Sequence, residues 1–202
     1  MTSLSSAFGY PIWISDEIYD VSPLEISHIR GITQSYNEGS GGNKISQCDD
    51  LLENKSLIGI KSYITHQLNR YFHDILKVVN ETELYITQSW ANFNEKDQGH
   101  HKHYHSNSVV SAVFYVQTDG TPIKFYNPKQ LFPLDFCYTE YNMLNSMYLN
   151  YQTAPGNLIV FPSTLEHSVP PNETDLERIS IAVNTFVKGK IGHFHGKYGL
   201  EL

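Results

Sequence analysis

Four of the chain's ten histidines stand within six residues, in Gly99-His100-His101-Lys102-His103-Tyr104-His105. Neutral imidazole is the commonest protein ligand for iron, zinc and nickel. In an extended chain, residues two apart share a face, so His101 with His103, or His103 with His105, can grip one ion. A dense histidine loop can equally be plain solvated surface, so the reading needs a second half. That half comes from Gly156 to Val169, where a Pro155-Gly156-Asn157 turn launches an apolar run, Phe161-Pro162 ends it and His167 follows. Eleven positions later Arg178-Ile179-Ser180 opens another apolar run. A single histidine after a strand is usually structural. A histidine followed at that interval by an arginine entering a strand is a sharper pattern. The plainer alternative for Arg178 is a surface ion pair with Glu173, Asp175 or Glu177.

Elements to position these groups can be read on either side of Asn80. Ser22 as N-cap and Pro23 at the first helical position predict a helix from Pro23 to about Tyr36. The Glu38–Asn43 stretch looks flexible. A second helix is predicted from about Ser56 to Val79, with Leu57, Ile60, Tyr63, Ile64, Leu68, Tyr71, Ile75 and Leu76 at helical spacing. Beyond Asn80 come short β-type runs at Leu84–Phe93, Ser108–Gln117, Ile123–Tyr126, Met143–Thr153, Asn157–Phe161 and Ile179–Val187, separated by Gly-, Pro- and Asn-rich turns. Many short strands with such turns predict a mainly β barrel or jelly roll with flanking helices. No repeat divides the chain, and a pair of helices this size cannot bury its own apolar face. Residues 1–202 are therefore read as one domain, helical over about 1–80 and β over about 81–190, with a loosely ordered tail at His193-Phe194-His195-Gly196.

Composition narrows the function classes. A net charge of −7 and a pI near 5.7, with no Lys/Arg run, argue against nonspecific nucleic-acid binding. Apolar runs such as Val113–Val116 are too short for a membrane span, and Met1–Ser6 lacks a signal-peptide pattern. Cys48 and Cys137 are read as free thiols in a reducing cytoplasm. His28, His66 and His73 fall in the helical half and carry no assigned role.

Taken in order, the motifs resemble the 2-oxoglutarate/Fe(II)-dependent dioxygenase superfamily, whose barrel carries a His-x-Asp/Glu, a distant second histidine and then an Arg-x-Ser. More narrowly the chain is similar to such oxygenases of bacteria and tailed phages. The matching segments are Ser89-Trp90-Ala91-Asn92, His103-Tyr104-His105-Ser106-Asn107-Ser108, Ser111-Ala112-Val113-Phe114-Tyr115, Ile123-Lys124-Phe125-Tyr126-Asn127-Pro128, the Phe-Pro-Ser segment ending at His167, and Arg178-x-Ser180-x-x-x-Asn184. They run from about Ile86 to Phe186, half of the chain.

The resemblance implies a double-stranded β-helix, jelly-roll or cupin-like, and a hydroxylase of a protein side chain, prolyl among the choices, or of a small molecule. It implies Fe(II), 2-oxoglutarate and O2 as the cofactor set, with ascorbate as an optional reductant. Carried over by position, the metal ligands are His103, His105 and His167. His105 stands where the superfamily has a carboxylate, which leaves the metal one negative charge short. Alternatively His105 sits behind the ligands, and water or an acid such as Asp97 or Asp119 completes the set. Arg178 would take the far carboxylate of 2-oxoglutarate as a planar, bidentate partner, with Ser180 adding a hydroxyl from the same strand face. Asn92, Tyr115 and Asn184 are read as further cosubstrate-pocket residues. Trp90 and Tyr115 could as well be packing, whereas buried amides such as Asn92 and Asn184 need partners. Glu166 should face away from His167, and His100 and His101 are expected outside the ligand set. The rival readings are a non-catalytic metal or small-molecule binding module and a three-histidine dioxygenase independent of 2-oxoglutarate. The first has no need of a carboxylate clamp at Arg178; in the second Arg178 is unexplained or binds substrate. The compartment implied is the cytoplasm, the host's if the chain is phage-encoded.

Overall fold

Alternation of side chains along extended strands explains how one sheet can serve a core and a cavity at once. The computed structural model describes residues 9–38, 42–128, 134, 136–192 and 199–202, so the predicted loose tail at His193–Gly196 lies outside the described residues. Its strands are β1 (Trp13–Ile14), β2 (Gln34–Tyr36), β3 (Lys44–Ser46), β4 (Thr82–Asn94), β5 (His100–His103), β6 (Val110–Gln117), β7 (Ile123–Tyr126), β8 (Tyr148–Tyr151), β9 (Leu158–Pro162), β10 (His167–Val169), β11 (Arg178–Ile191) and β12 (Leu200–Glu201). The large sheet runs β1-β9-β6-β11-β4-β3-β2, with β12 pairing β11. The small sheet runs β5-β10-β7-β8. From β4 to β11 the chain passes back and forth between the two sheets, giving the expected mainly β, double-stranded β-helix core with helices on one side.

The helices are α1 (Pro23–Arg30) and α2 (Ile58–Asn69), the latter continued by a π-helical stretch, Arg70–Ile75. A capping box starts α1: Ser22 Oγ accepts from the Glu25 N–H, and the Glu25 carboxylate accepts from the Ser22 N–H. This helix stops at Arg30, short of the Tyr36 expected from sequence, because Gln34–Tyr36 pairs with β3 instead. Ile60, Ile64, Leu68 and Tyr71 form the buried face predicted for the second helix, but Ile75 and Leu76 are 45% and 37% exposed. The wider π turn, with Leu76 N–H bonded to Tyr71 C=O, rotates them off that face. Of the expected Met143–Thr153 strand, Tyr148–Tyr151 pairs.

One face of the large sheet packs Ala91, Phe93, Ala112, Phe114, Leu158, Val160, Ile179, Ile181 and Val183 against the helices. The other face looks toward the small sheet, where Val113, Tyr115, Ile123, Phe125, Ile159, Phe161 and Leu165 form a second cluster. In the β4–β11 ladder Asn184 pairs with Gln88 but Thr185 pairs with Ile86, which leaves Thr87 as an extra residue. This bulge changes parity on β4: Ala91 and Phe93 face the helices on one side of it, Leu84 and Ile86 on the other.

Candidate metal centre

Pairing of β10 with β5 sets His167 directly opposite His103. His105 follows β5, held by its backbone N–H donating to Ser163 C=O at 2.9 Å. One candidate ligand atom from each of His103, His105 and His167 can be chosen so that all lie within 4.8 Å of one another, and among the described residues no other such His/Cys/Asp/Glu group occurs. His105 and His167 are buried and His103 is half-buried.

The imidazoles are prepared for a cation. Neutral imidazole binds a metal through the nitrogen that lacks a proton, and a hydrogen bond at the other nitrogen chooses which. His105 Nδ1 lies 2.5 Å from Asn184 Oδ1, His167 Nδ1 3.1 Å from Leu165 C=O, and His103 Nδ1 2.8 Å from His101 C=O. Each oxygen calls for an Nδ1–H donor, which leaves three Nε2 lone pairs free. Burial, ahead of the neighbouring imidazoles, lowers the pKa of His103 to about 4 and holds that of His167 well below its ordinary value. Burial also lowers that of His105, against the Asn184 hydrogen bond. These rings are therefore neutral near pH 7, the state a metal requires.

All eight residues singled out from sequence line one cavity of about 350 Å³: the three histidines, Asn92 on β4, Tyr115 on β6, and Arg178, Ser180 and Asn184 on β11. Arg178 is 2% exposed; among the described residues it makes no ion pair, and its buried Nη2 has no hydrogen-bond partner. Glu177, one of its expected surface partners, pairs instead with Arg30. Burial lowers the Arg178 pKa, opposed by Tyr115 and Asp119 nearby. Guanidinium stays charged in proteins, so the cavity holds an incompletely satisfied cation. That is a fit for a carboxylate ligand.

The other sequence candidates sort clearly. Asp97 is exposed at a positive-φ turn, and Asp119 is occupied by Thr121; neither joins the histidine group. Glu166 turns outward to Lys102 at 2.6 Å. Tyr104 reaches the cavity rim although 57% exposed. His100 lies outside the group but contacts it, its Nδ1 2.9 Å from His103 Nδ1. Gln88, Ser111 and Ser163, which surround Asn184 and His105, were missed as site residues. Gln88 and Ser111 belong to strands distant in sequence and Ser163 follows β9, and only the β4–β11–β6–β9 pairing brings them together.

Residues 88–184 match the family described as "Putative 2OG-Fe(II) oxygenase". No curated protein matches the chain. Among solved structures, an oxidoreductase of the 2OG-Fe(II) oxygenase family from Burkholderia pseudomallei is 13% identical, with a TM-score of 0.59 over 86% of this chain and 84% of that one. A prolyl-4-hydroxylase from Pseudomonas putida is 14% identical, with a TM-score of 0.59 over 87% and 92%. HygX from Streptomyces hygroscopicus, solved with nickel and 2-oxoglutarate bound, is 14% identical, with a TM-score of 0.57 over 87% and 82%. At these identities the likeness is one of fold.

Proposed function

We propose, for a chain whose residues 88–184 belong to the 2-oxoglutarate/Fe(II) oxygenases, that the cavity is the active centre of a dioxygenase hydroxylating a protein side chain or a small molecule. His103, His105 and His167 would hold Fe(II) through Nε2. Arg178 takes the far carboxylate of 2-oxoglutarate. Ser180 and Tyr115 offer hydroxyls beside it, and Asn92 and Asn184 line the same space. When bound, iron would let O2 act as the oxidant, with 2-oxoglutarate consumed as the co-reductant: a C–H compound, 2-oxoglutarate and O2 become an alcohol, succinate and carbon dioxide.

The chain's own part is binding and shielding. Neutral, buried imidazoles accept the metal without first losing protons. Arg178 and Ser180 share a strand face, so one carboxylate can meet both. The observation that carries the reading is the unpartnered Nη2 of buried Arg178 in the cavity of the three histidines. A plain metal-binding barrel leaves that cation unexplained, and a three-histidine dioxygenase that uses no 2-oxoglutarate leaves it unexplained or must use it to bind substrate. Residues 1–202 act as one domain in this reading, since α1, α2 and both long strands contribute to one core. No helix among the described residues is long and apolar enough to cross a membrane. A reducing cytoplasm is the proposed compartment, supported by free Cys48 and exposed, free Cys137.

The test is anaerobic addition of Fe(II) and 2-oxoglutarate to the purified chain, followed by visible absorption. The charge-transfer band of the chelate is expected, and His167→Ala should abolish it. Folded wild-type protein that binds metal but gives no band would overturn the reading.

A further inference from the structure

His105 occupies the position where a carboxylate ligand would bring its own charge and two equivalent oxygens. An imidazole must instead present the correct nitrogen, and either one can carry the proton. Here the choice is made by Asn184, whose Oδ1 lies 2.5 Å from His105 Nδ1. Two other groups fix which end of that amide faces the ring. Asn184 Nδ2 donates to Gln88 Oε1 at 3.2 Å, and Ser111 Oγ donates to Asn184 Oδ1 at 3.1 Å. Ser111 Oγ also lies 2.8 Å from Ser163 Oγ, which can donate to it. Asn184 is 5% exposed, and Ser111 and Ser163 are fully buried, so water does not compete for the bonds among His105, Asn184 and Ser111; Gln88 is exposed.

We infer that Asn184 is the positioning residue that makes His105 a metal ligand: it holds the ring as the Nδ1–H tautomer and aims Nε2 at the metal. Gln88 and Ser111 hold the amide in turn. This role rests on the oxygenase reading of the same centre, and it assigns Asn184 to the metal side of the cavity instead of the cosubstrate side.

Two measurements on the full chain test it. The first is Zn(II) affinity by competition with a chromophoric chelator, for wild type, Asn184→Leu, Asn184→Asp and His105→Ala. Losing a partner behind a metal-bound histidine typically weakens metal binding about 10–100-fold. That loss is expected for Asn184→Leu, which removes the acceptor at similar volume, whereas Asn184→Asp keeps an acceptor and should stay within a few-fold of wild type. The second is long-range 1H–15N NMR of His105 in metal-free wild type, which needs no variant to fold; a protonated Nδ1 and bare Nε2 are expected. A protonated Nε2 would overturn the inference. So would wild-type affinity in Asn184→Leu alongside a loss in His105→Ala. Undiminished affinity in His105→Ala would overturn it too, while leaving the oxygenase reading to the absorption band and His167.

Discussion

Along one stretch of β11, Ile179, Ile181 and Val183 point into the helices, while Arg178, Ser180, Ala182 and Asn184 point into the cavity. All seven are buried, so burial does not distinguish the two faces. What differs is whether each side chain's needs are met inside the protein. The aliphatic face is satisfied by contact alone, and its residues lower the free energy of the fold. The cavity face keeps a buried guanidinium nitrogen without a partner among the described residues, and three imidazoles held neutral by burial, with neighbouring rings adding to it at His103 and His167. Such groups are retained for what they can bind, commonly at a cost in stability.

Substitutions on the two faces should therefore separate binding from stability. On the cavity side, Arg178→Leu should cost 2-oxoglutarate binding roughly 2–5 kcal/mol, about 30-fold or more, as expected when one partner of a desolvated charge pair is lost. Its metal affinity and melting temperature should hold or rise, since a buried, unpartnered charge is removed. Calorimetric titration with 2-oxoglutarate and a thermal melt read both; unchanged cosubstrate affinity would erase the contrast. On the helical side, Ile181→Ala should cost about 3 kcal/mol of stability by leaving a void. Below its lowered melting temperature it should bind metal and cosubstrate like wild type. Urea unfolding and metal titration check the pair of outcomes.

A weaker separation should appear with pH. His103 titrates near 4 in the folded chain, against about 6.5 when unfolded. The unfolded chain thus binds more protons between those values. Stability is complete above about pH 6.5 and falls as the pH drops toward 4. Denaturant midpoints of the metal-free protein should decline over that window. His103→Gln should reduce the slope and Ile181→Ala should leave it alone. The rest of the slope comes from His100, His105 and His167, whose pKa values are lowered in the same direction. The smallest effect belongs to the surface. Lys102→Ala removes the pair with Glu166, 47% and 40% exposed, and should shift stability by about 0–1 kcal/mol.

How much of this could be read in the sequence depended on whether an element carries its own signal. The long strands did: β4 and β11 contain the expected runs Leu84–Phe93 and Ile179–Val187, β6 lies within the expected Ser108–Gln117, and the Arg-x-Ser-x-x-x-Asn spacing on β11 follows from side-chain alternation. Short strands did not. Gln34–Tyr36 and His167–Val169 are three residues each and extend because a partner strand lies alongside, so the first was absorbed into a predicted helix. The π turn after Asn69 was also invisible, and with it the outward rotation of Ile75 and Leu76. In the cavity, residue types named the ligands and the clamp. The partner that orients His105 lies 79 positions away, and Gln88 lies a further 96 from it, connections that pairing creates and local pattern cannot reveal.

The extra residue at Thr87 has a consequence for how this protein can vary. Thr87 is exposed and its side chain merely donates to Asn184 C=O, so many residue types could stand there. Its count is another matter. Shortening β4 by that one residue would turn either Leu84 and Ile86 out to solvent or Trp90, Asn92 and Asn94 away from the cavity, because a slip of one reverses every side chain beyond it. At this spot the chain is free in spelling and rigid in length.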